Sequence, residues 1–236
     1  GGLIVTTRNT TAQVLEIMRS IADFLKKERF VKWVYKCIPH IYHRYPSESD
    51  LYALFRLEAR LIGRNISSTV QLDNSLRLRA DRRSRMKKAE QAGLRVVETT
   101  EFSPFWKVLD ANLQERFHVK PVHSLDEIVL LHSRFPDRIR HFVTMRGDEI
   151  LVGSVIYDTG IVAHAQYTSA SAEGKASGAL DLLYARLIGE VFADRKWFDF
   201  GQSTEDMGHY LNEGLIAQKE GFGGRGVAYD IYEITL

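Results

Sequence analysis

Two hydrophobic periods, one near two residues and one near 3.6, alternate along this chain, and their order predicts an α/β protein. GGLIVTT reads as a strand. Thr10-Thr11-Ala12-Gln13 has the spacing of a capping box and opens a helix with Val14, Met18, Ile21 and Leu25 on one face. VKWVYKCIP is a strand ended by Pro39, Ser47-Glu48-Ser49-Asp50 caps a helix carrying Leu51, Leu54, Phe55 and Leu61, and NISSTVQL is another strand. Residues 76–92 form a helix ended by Gly93, and LRVVETT is a strand. Ser103 and Pro104 start a helix with Phe105, Leu109 and Leu113 facing one way, and Ser124 with Glu127 boxes a shorter one that stops near Pro136. Residues 138–171 then read as an antiparallel meander of strands turning at Arg146-Gly147-Asp148 and Asp158-Thr159-Gly160.

The last segments carry the densest pattern. AEGKASG is a glycine-containing loop that runs into a helix striped by Leu180, Leu183, Leu187 and Val191. WFDFG is a short buried strand, GHYLNEGLIAQKE a helix with Leu211 and Leu215 on one face, FGGRG a hinged turn, and VAYDIYEI a closing strand.

Composition changes this picture little. The 236 residues are 44% hydrophobic and 26% charged, ordinary for a globular protein of one large or two smaller domains. No apolar run is long enough for a membrane span and no signal pattern opens the chain, so the cytoplasm is expected. Cys37 is the one cysteine, which excludes an intrachain disulfide and a cysteine-built zinc site; within its apolar run it reads as structural. A net charge of +2 imposes no field that demands nucleic acid.

Chemistry concentrates in three places. The loop GQSTEDMG follows a strand's carboxyl end, where α/β proteins place ligands, and supplies Gln202, Ser203, Thr204, Glu205 and Asp206. A solvated loop with a helix cap is the other reading. The helix of residues 76–92 bears Arg79, Arg82, Arg83, Arg85, Lys87 and Lys88, either a phosphate-binding face or a solvated one. On the strand IVAHAQYTSAS, period-2 alternation puts His164, Gln166 and Thr168 on one face. His164 is a general-base candidate because imidazole titrates near neutrality; a structural strand histidine is the alternative.

The order of two helices, a meander, a glycine loop opening a helix, then strand, helix and strand resembles the Gcn5-related N-acetyltransferase (GNAT) fold. WFDFG followed by GLIAQKEGFGG looks like its FemAB-type branch and the acetyltransferase domains related to it. The resemblance implies an α/β (α+β) fold: a GNAT-like mixed sheet flanked by helices, in tandem with a first domain only partly present. Residues 1–74 would be the rear half of that first domain, 75–93 a basic linking helix, and 94–236 a complete second domain.

The function implied is transfer of an acyl group to an amine or hydroxyl of a sugar or cell-envelope precursor. Acyl-CoA is the expected co-substrate, with no permanently bound cofactor and no metal. The alternatives are a FemAB-like aminoacyltransferase, which would take charged tRNA and a nucleotide-linked precursor, and a non-catalytic GNAT-like binding module. In acetyl-CoA users the start of the helix after the glycine loop cradles the pyrophosphate. Here that places Lys175, Ser177 and Gly178, although Leu180 departs from the usual pattern and Glu173 is adjacent; close packing of the turn is the other reading. Lys219 falls where FemAB-type sequences carry a lysine near the reacting centre. It and His164 are the expected catalytic residues, while Gln166, Gln202, Ser203, Glu205 and Asp206 are expected to bind the acceptor.

Overall fold

The computed structural model describes residues 1–236, the side chains of Arg116 and Phe117 excepted. In chain order its elements are α1 (Thr11–Lys27), β1 (Lys32–Lys36), α2 (Ser49–Arg56), β2 (Arg60–Gln71), α3 (Ala80–Gln91), β3 (Arg95–Glu98), α4 (Ser103–Phe117) and α5 (Leu125–Arg134). The meander β4 (Ile139–Arg146), β5 (Glu149–Asp158) and β6 (Val162–Ala170) follows, then α6 (Ala172–Ser177) and α7 (Ala179–Arg186). The chain closes with β7 (Trp197–Gln202), β8 (Thr204–Glu205), β9 (Tyr210–Leu211), α8 (Glu213–Glu220) and β10 (Arg225–Thr235). Both predicted capping boxes form: Thr10 with Gln13 opens α1 and Ser124 with Glu127 opens α5.

Contacts divide the chain into two units, one of residues 1–68, 202–216 and 226–236, the other of 69–201 and 217–225. In the first, β10 lies between β1 and β2, antiparallel to β1 with Lys32 opposite Thr235. Its core joins Val14 and Met18 of α1, Tyr35 of β1, Ala53 and Leu54 of α2, and Ile234. Residues 1–6 are not the strand that their apolar character suggests. The Leu3 amide donates instead to the Tyr35 phenol at 2.7 Å, and Leu3 and Val5 pack against that core. Of the expected apolar face Leu51, Leu54, Phe55 and Leu61, Leu54 is buried while the other three are exposed.

The second unit is a mixed sheet in the order β7-β6-β5-β4-β3, parallel only between β6 and β7. Helix α7, with Leu182, Leu183 and Leu187, buries one face against Val152, Ile156, Ala165, Phe198, Phe200 and Phe222. Helices α4 and α5 cover the other face, with Phe102, Phe105, Trp106 and Ile128 against Ile139, Val155 and Tyr167. Among the described residues, no helix is long and apolar enough to cross a membrane.

A one-residue slip within this unit changes which side chains share a face. Val155 pairs with Tyr167 but Ile156 pairs with Ala165, so Gln166 is an extra residue on β6. Across that bulge the alternation reverses. His164, opposite Tyr157, faces the α4–α5 side, whereas Thr168 bonds Ser154 and Tyr184 on the α7 side. The expected common face of His164, Gln166 and Thr168 is therefore not formed.

Candidate functional site

The parallel β6–β7 ladder runs Val162–Trp197, Ala163–Phe198 and His164–Asp199. Polar side chains gather at its last rung. His164 Nδ1 lies 2.8 Å from Oδ2 of Asp199, a fully buried carboxylate. The other oxygen, Oδ1, accepts from the Thr69 hydroxyl at 3.0 Å and from the Gly201 amide at 3.2 Å. Phe198 and Phe200 flank Asp199 in sequence but point into the α7 core, so the carboxylate is the one polar residue that strand alternation turns toward His164.

Lys219, near the end of α8, joins this cluster. It is 8% exposed and its ammonium donates to the Gly201 carbonyl at 2.8 Å. Burial pushes its pKa down to about 8, and the charge of Asp199 opposes part of that shift. The ammonium can offset developing negative charge, and the imidazole that meets Asp199 can take up a proton. Lys219 is thus a buried residue of this cluster, not an exposed helix lysine. Asp199 and Thr69 were not among the candidates from sequence; a carboxylate inside the apolar run WFDFG was the visible signal.

Gln166, at the bulge, hydrogen-bonds Tyr167, whose phenol also lies 2.5 Å from His123 Nδ1. The remaining candidates from sequence lie in different surroundings.

The turn of Lys175, Ser177 and Gly178 joins α6 to α7 and is packed by the basic helix α3. Gly178 adopts φ +80°, and a Cβ there would come within 2.5 Å of the Arg85 carbonyl oxygen. Arg85 donates to the Lys175 carbonyl at 2.5 Å, and Lys175 reaches Asn112 at 3.3 Å. In the first turn of α7, Asp181 is 2% exposed and paired with Arg82 at 3.0 Å and Arg85 at 3.1 Å. Glu173 pairs with Arg146. The glycine permits this close approach of α3 to the turn. Arginines of α3 are consumed the same way: Arg79 is bidentate on Asp81, and Arg83 donates to the Leu78 carbonyl at 2.5 Å.

Gln202, the last residue of β7, and Ser203, Glu205 and Asp206 lie in the first unit, the latter two in a β8–β9 hairpin where the sequence suggested an open loop and the start of a helix. Thr204 pairs with Leu211 and Glu205 with Tyr210, and the tip carries positive φ at Asp206 (48°), Met207 (55°) and Gly208 (100°). Ser203 is buried, its amide donating to Ile66 at 2.9 Å; Gln202, Glu205 and Asp206 are exposed. Gly208 lies against β2, where a Cβ would fall 1.9 Å from the Arg64 carbonyl oxygen.

A family model described as Acetyltransferase (GNAT) domain matches residues 77–210. Among curated proteins no sequence matches. Among solved structures the chain is similar to the crystal structure of FemX, with a TM-score of 0.74 and 11% identity over 100% of this chain and 79% of that one. It is also similar to the C-terminal domain of a putative lysylphosphatidylglycerol synthetase from Agrobacterium fabrum (TM-score 0.68, 13% identity, 94% and 73% covered). L-PGS from Bacillus licheniformis is similar as well (TM-score 0.66, 14% identity, 92% and 71% covered). The expected GNAT-like mixed sheet flanked by helices, with its FemAB-type likeness, is borne out.

Proposed function

Because the chain belongs to the acetyltransferase (GNAT) domain family, we propose that it is an acyltransferase whose reacting centre is built on Lys219 and His164. The acceptor is an amine or hydroxyl of a sugar or cell-envelope precursor. The observation that carries this reading is the burial of the Lys219 ammonium on the Gly201 carbonyl, within the field of the Asp199 carboxylate that also meets His164. Keeping a cation at such a depth costs several kcal/mol unless it is compensated, so the arrangement needs a reason beyond solubility.

In this reading the acceptor attacks the donor's carbonyl carbon, and the charge gathering on its oxygen is offset by the Lys219 ammonium. His164 takes the acceptor's proton; the leaving group departs as the carbonyl re-forms, so no covalent enzyme intermediate is needed. Gln166 is assigned to acceptor binding; Gln202, Ser203, Glu205 and Asp206 of the other unit are kept as separate candidates for the same role. The tandem reading, with residues 1–74 and 94–236 as two related domains joined by 75–93, is supported by the strand, helix, strand order of residues 32–71, which recurs over 197–235 with the β8–β9 hairpin inserted before the helix.

Acyl-CoA is the donor that the family suggests. A second reading, an aminoacyl-tRNA donor with a nucleotide-linked acceptor, is favoured by the packing of α3 onto the α6–α7 turn, where a CoA pyrophosphate would need open backbone N–H groups. Thermal-shift titration with acetyl-CoA, CoA, nucleotide sugars and aminoacyl-tRNA separates the two, since a bound ligand raises the melting temperature by mass action. Mass spectrometry of acceptors then detects transfer. Stabilisation and transfer with acetyl-CoA support the first donor, and the same with aminoacyl-tRNA the second. Absence of transfer from either donor overturns the assignment and leaves a binding module.

A further inference from the structure

Three of the groups that Asp199 meets have a donor or acceptor character that restricts what each can do. The Gly201 backbone N–H can only donate, and it donates to Oδ1, which the Thr69 hydroxyl also supplies with a proton. The opposite oxygen, Oδ2, meets Nδ1 of His164 at 2.8 Å. An ionised carboxylate accepts on both sides, so a neutral His164 must carry its proton on Nδ1. The ring's lone pair then resides on Nε2.

We propose that Asp199 is the positioning residue of this centre: it locks neutral His164 as the Nδ1–H tautomer and thereby makes Nε2 the proton acceptor. Asp199 acts through the ring and does not touch the substrate. Its burial at 0% exposure keeps water from competing for either oxygen. Thr69 and Gly201 hold the carboxylate's far side, which fixes the direction from which Oδ2 meets the ring. The proton from the acceptor arrives at Nε2 while the one on Nδ1 stays in place, so the transient imidazolium is shared with an adjacent anion. The inference rests on the transferase reading only for what Nε2 does; the tautomer itself is a property of the resting protein.

The isosteric substitution Asp199→Asn makes a sharp test. Gly201 N–H and the Thr69 hydroxyl require an acceptor on their side, so the amide turns its oxygen toward them and its NH2 toward His164. A donor facing Nδ1 forces the ring into the opposite, Nε2–H tautomer. Long-range proton–nitrogen spectra of the 15N-labelled protein report the tautomer of each neutral histidine without any substrate. The His164 signals, among eight histidines, are identified by their loss in His164→Gln.

The wild type is expected to show His164 as Nδ1–H, and Asp199→Asn as Nε2–H. A wild-type Nε2–H ring, or an Asp199→Asn protein that keeps Nδ1–H, overturns the proposal; the wild-type spectrum decides it even if the variant fails to fold. Thr69→Val, which leaves the Gly201 amide in place, is expected to retain Nδ1–H. Once a donor is found, Asp199→Asn should lower kcat on the order of a hundredfold to ten-thousandfold with KM little changed, the range in which removal of a general base or its orienting acid falls. A tautomer that inverts without loss of turnover would overturn Asp199 as a positioning residue and remove His164 from the chemistry.

Discussion

Lys219 reaches back from α8 to donate its ammonium to the Gly201 carbonyl at 2.8 Å, two residues past Asp199 on β7. This contact ties the helix to the strand end at which His164 also sits. If the ammonium offsets oxyanion charge, Lys219→Ala lowers turnover on the order of a hundredfold while substrate affinity changes far less, the pattern of an interaction made in the transition state. Full turnover in Lys219→Ala, measured with an identified donor, would show that the charge is not used.

The same residue sets an alkaline limit. Its pKa is pushed down to about 8 by burial, so the charged form is lost as pH rises through that value. Turnover is expected to fall above about pH 8, and Lys219→Arg, which stays charged, should extend activity to higher pH. A profile flat to pH 9.5 in the wild type contradicts the requirement for a charged lysine.

Asp181 and its two arginines hold α3 on the start of α7. Asp181→Ala leaves Arg82, itself only 14% exposed, without its carboxylate. Removing one partner of a buried pair typically costs about 3–5 kcal/mol; with Arg85 43% exposed and partly screened, a loss of about 2–3 kcal/mol is expected by urea denaturation. A loss below about 0.5 kcal/mol would mean that hydrophobic packing, not the ion pairs, seats α3.

Much of the second unit was legible because its signals are local. Ser124 with Glu127 announces α5, and the turn glycines Gly147 and Gly160, both with positive φ, separate the meander strands as expected. What failed depended on distant partners. The strand expected over residues 1–7 has its backbone drawn to the Tyr35 phenol, 32 residues beyond Leu3. The pair Leu211 and Leu215 mimics a helical stripe, yet Leu211 belongs to a hairpin. That hairpin turns on consecutive left-handed residues, two of which, Asp206 and Met207, are not glycine. Gln166 bears no mark of a bulge, so the face of Thr168 was misassigned, while Lys219 met the end of β7 through tertiary structure alone.

The hairpin makes its own prediction. Gly208 combines φ +100° with a backbone approach that no Cβ can share, so Gly208→Ala must displace the tip from Arg64. The expected result is faster amide exchange over 204–211 with helix α7 unaffected. Unchanged exchange there would mean that the tip accommodates a side chain without moving.

His141 carries the last prediction. It is 1% exposed, stacked on Phe102 at 4.8 Å and 18°, tilted against Phe105 at 5.0 Å, and neither ring nitrogen has a well-formed hydrogen bond. Burial lowers its pKa to about 4, against a partial upward pull from a contact with the Glu101 backbone, with His132 adding a smaller push downward. Because the folded value lies below the unfolded one of 6.5, the unfolded chain binds more protons between pH 6.5 and about 4. Stability is therefore lost as pH falls across that window, by an amount on the order of 3 kcal/mol from the size of the shift. His141→Leu removes two buried ring nitrogens whose one hydrogen-bond contact is a poorly aligned one with the Glu101 backbone, a relief of about 1–3 kcal/mol, and forfeits a ring stack of about 0.5–1.5 kcal/mol. The variant should be the more stable protein at pH 7.5, and its advantage should grow as the pH is lowered to 5. Urea unfolding of both proteins at the two pH values measures this directly. Parallel losses on acidification would show that His141 stays neutral in the unfolded chain or finds a partner in the folded one, and either result removes it as the source of acid sensitivity.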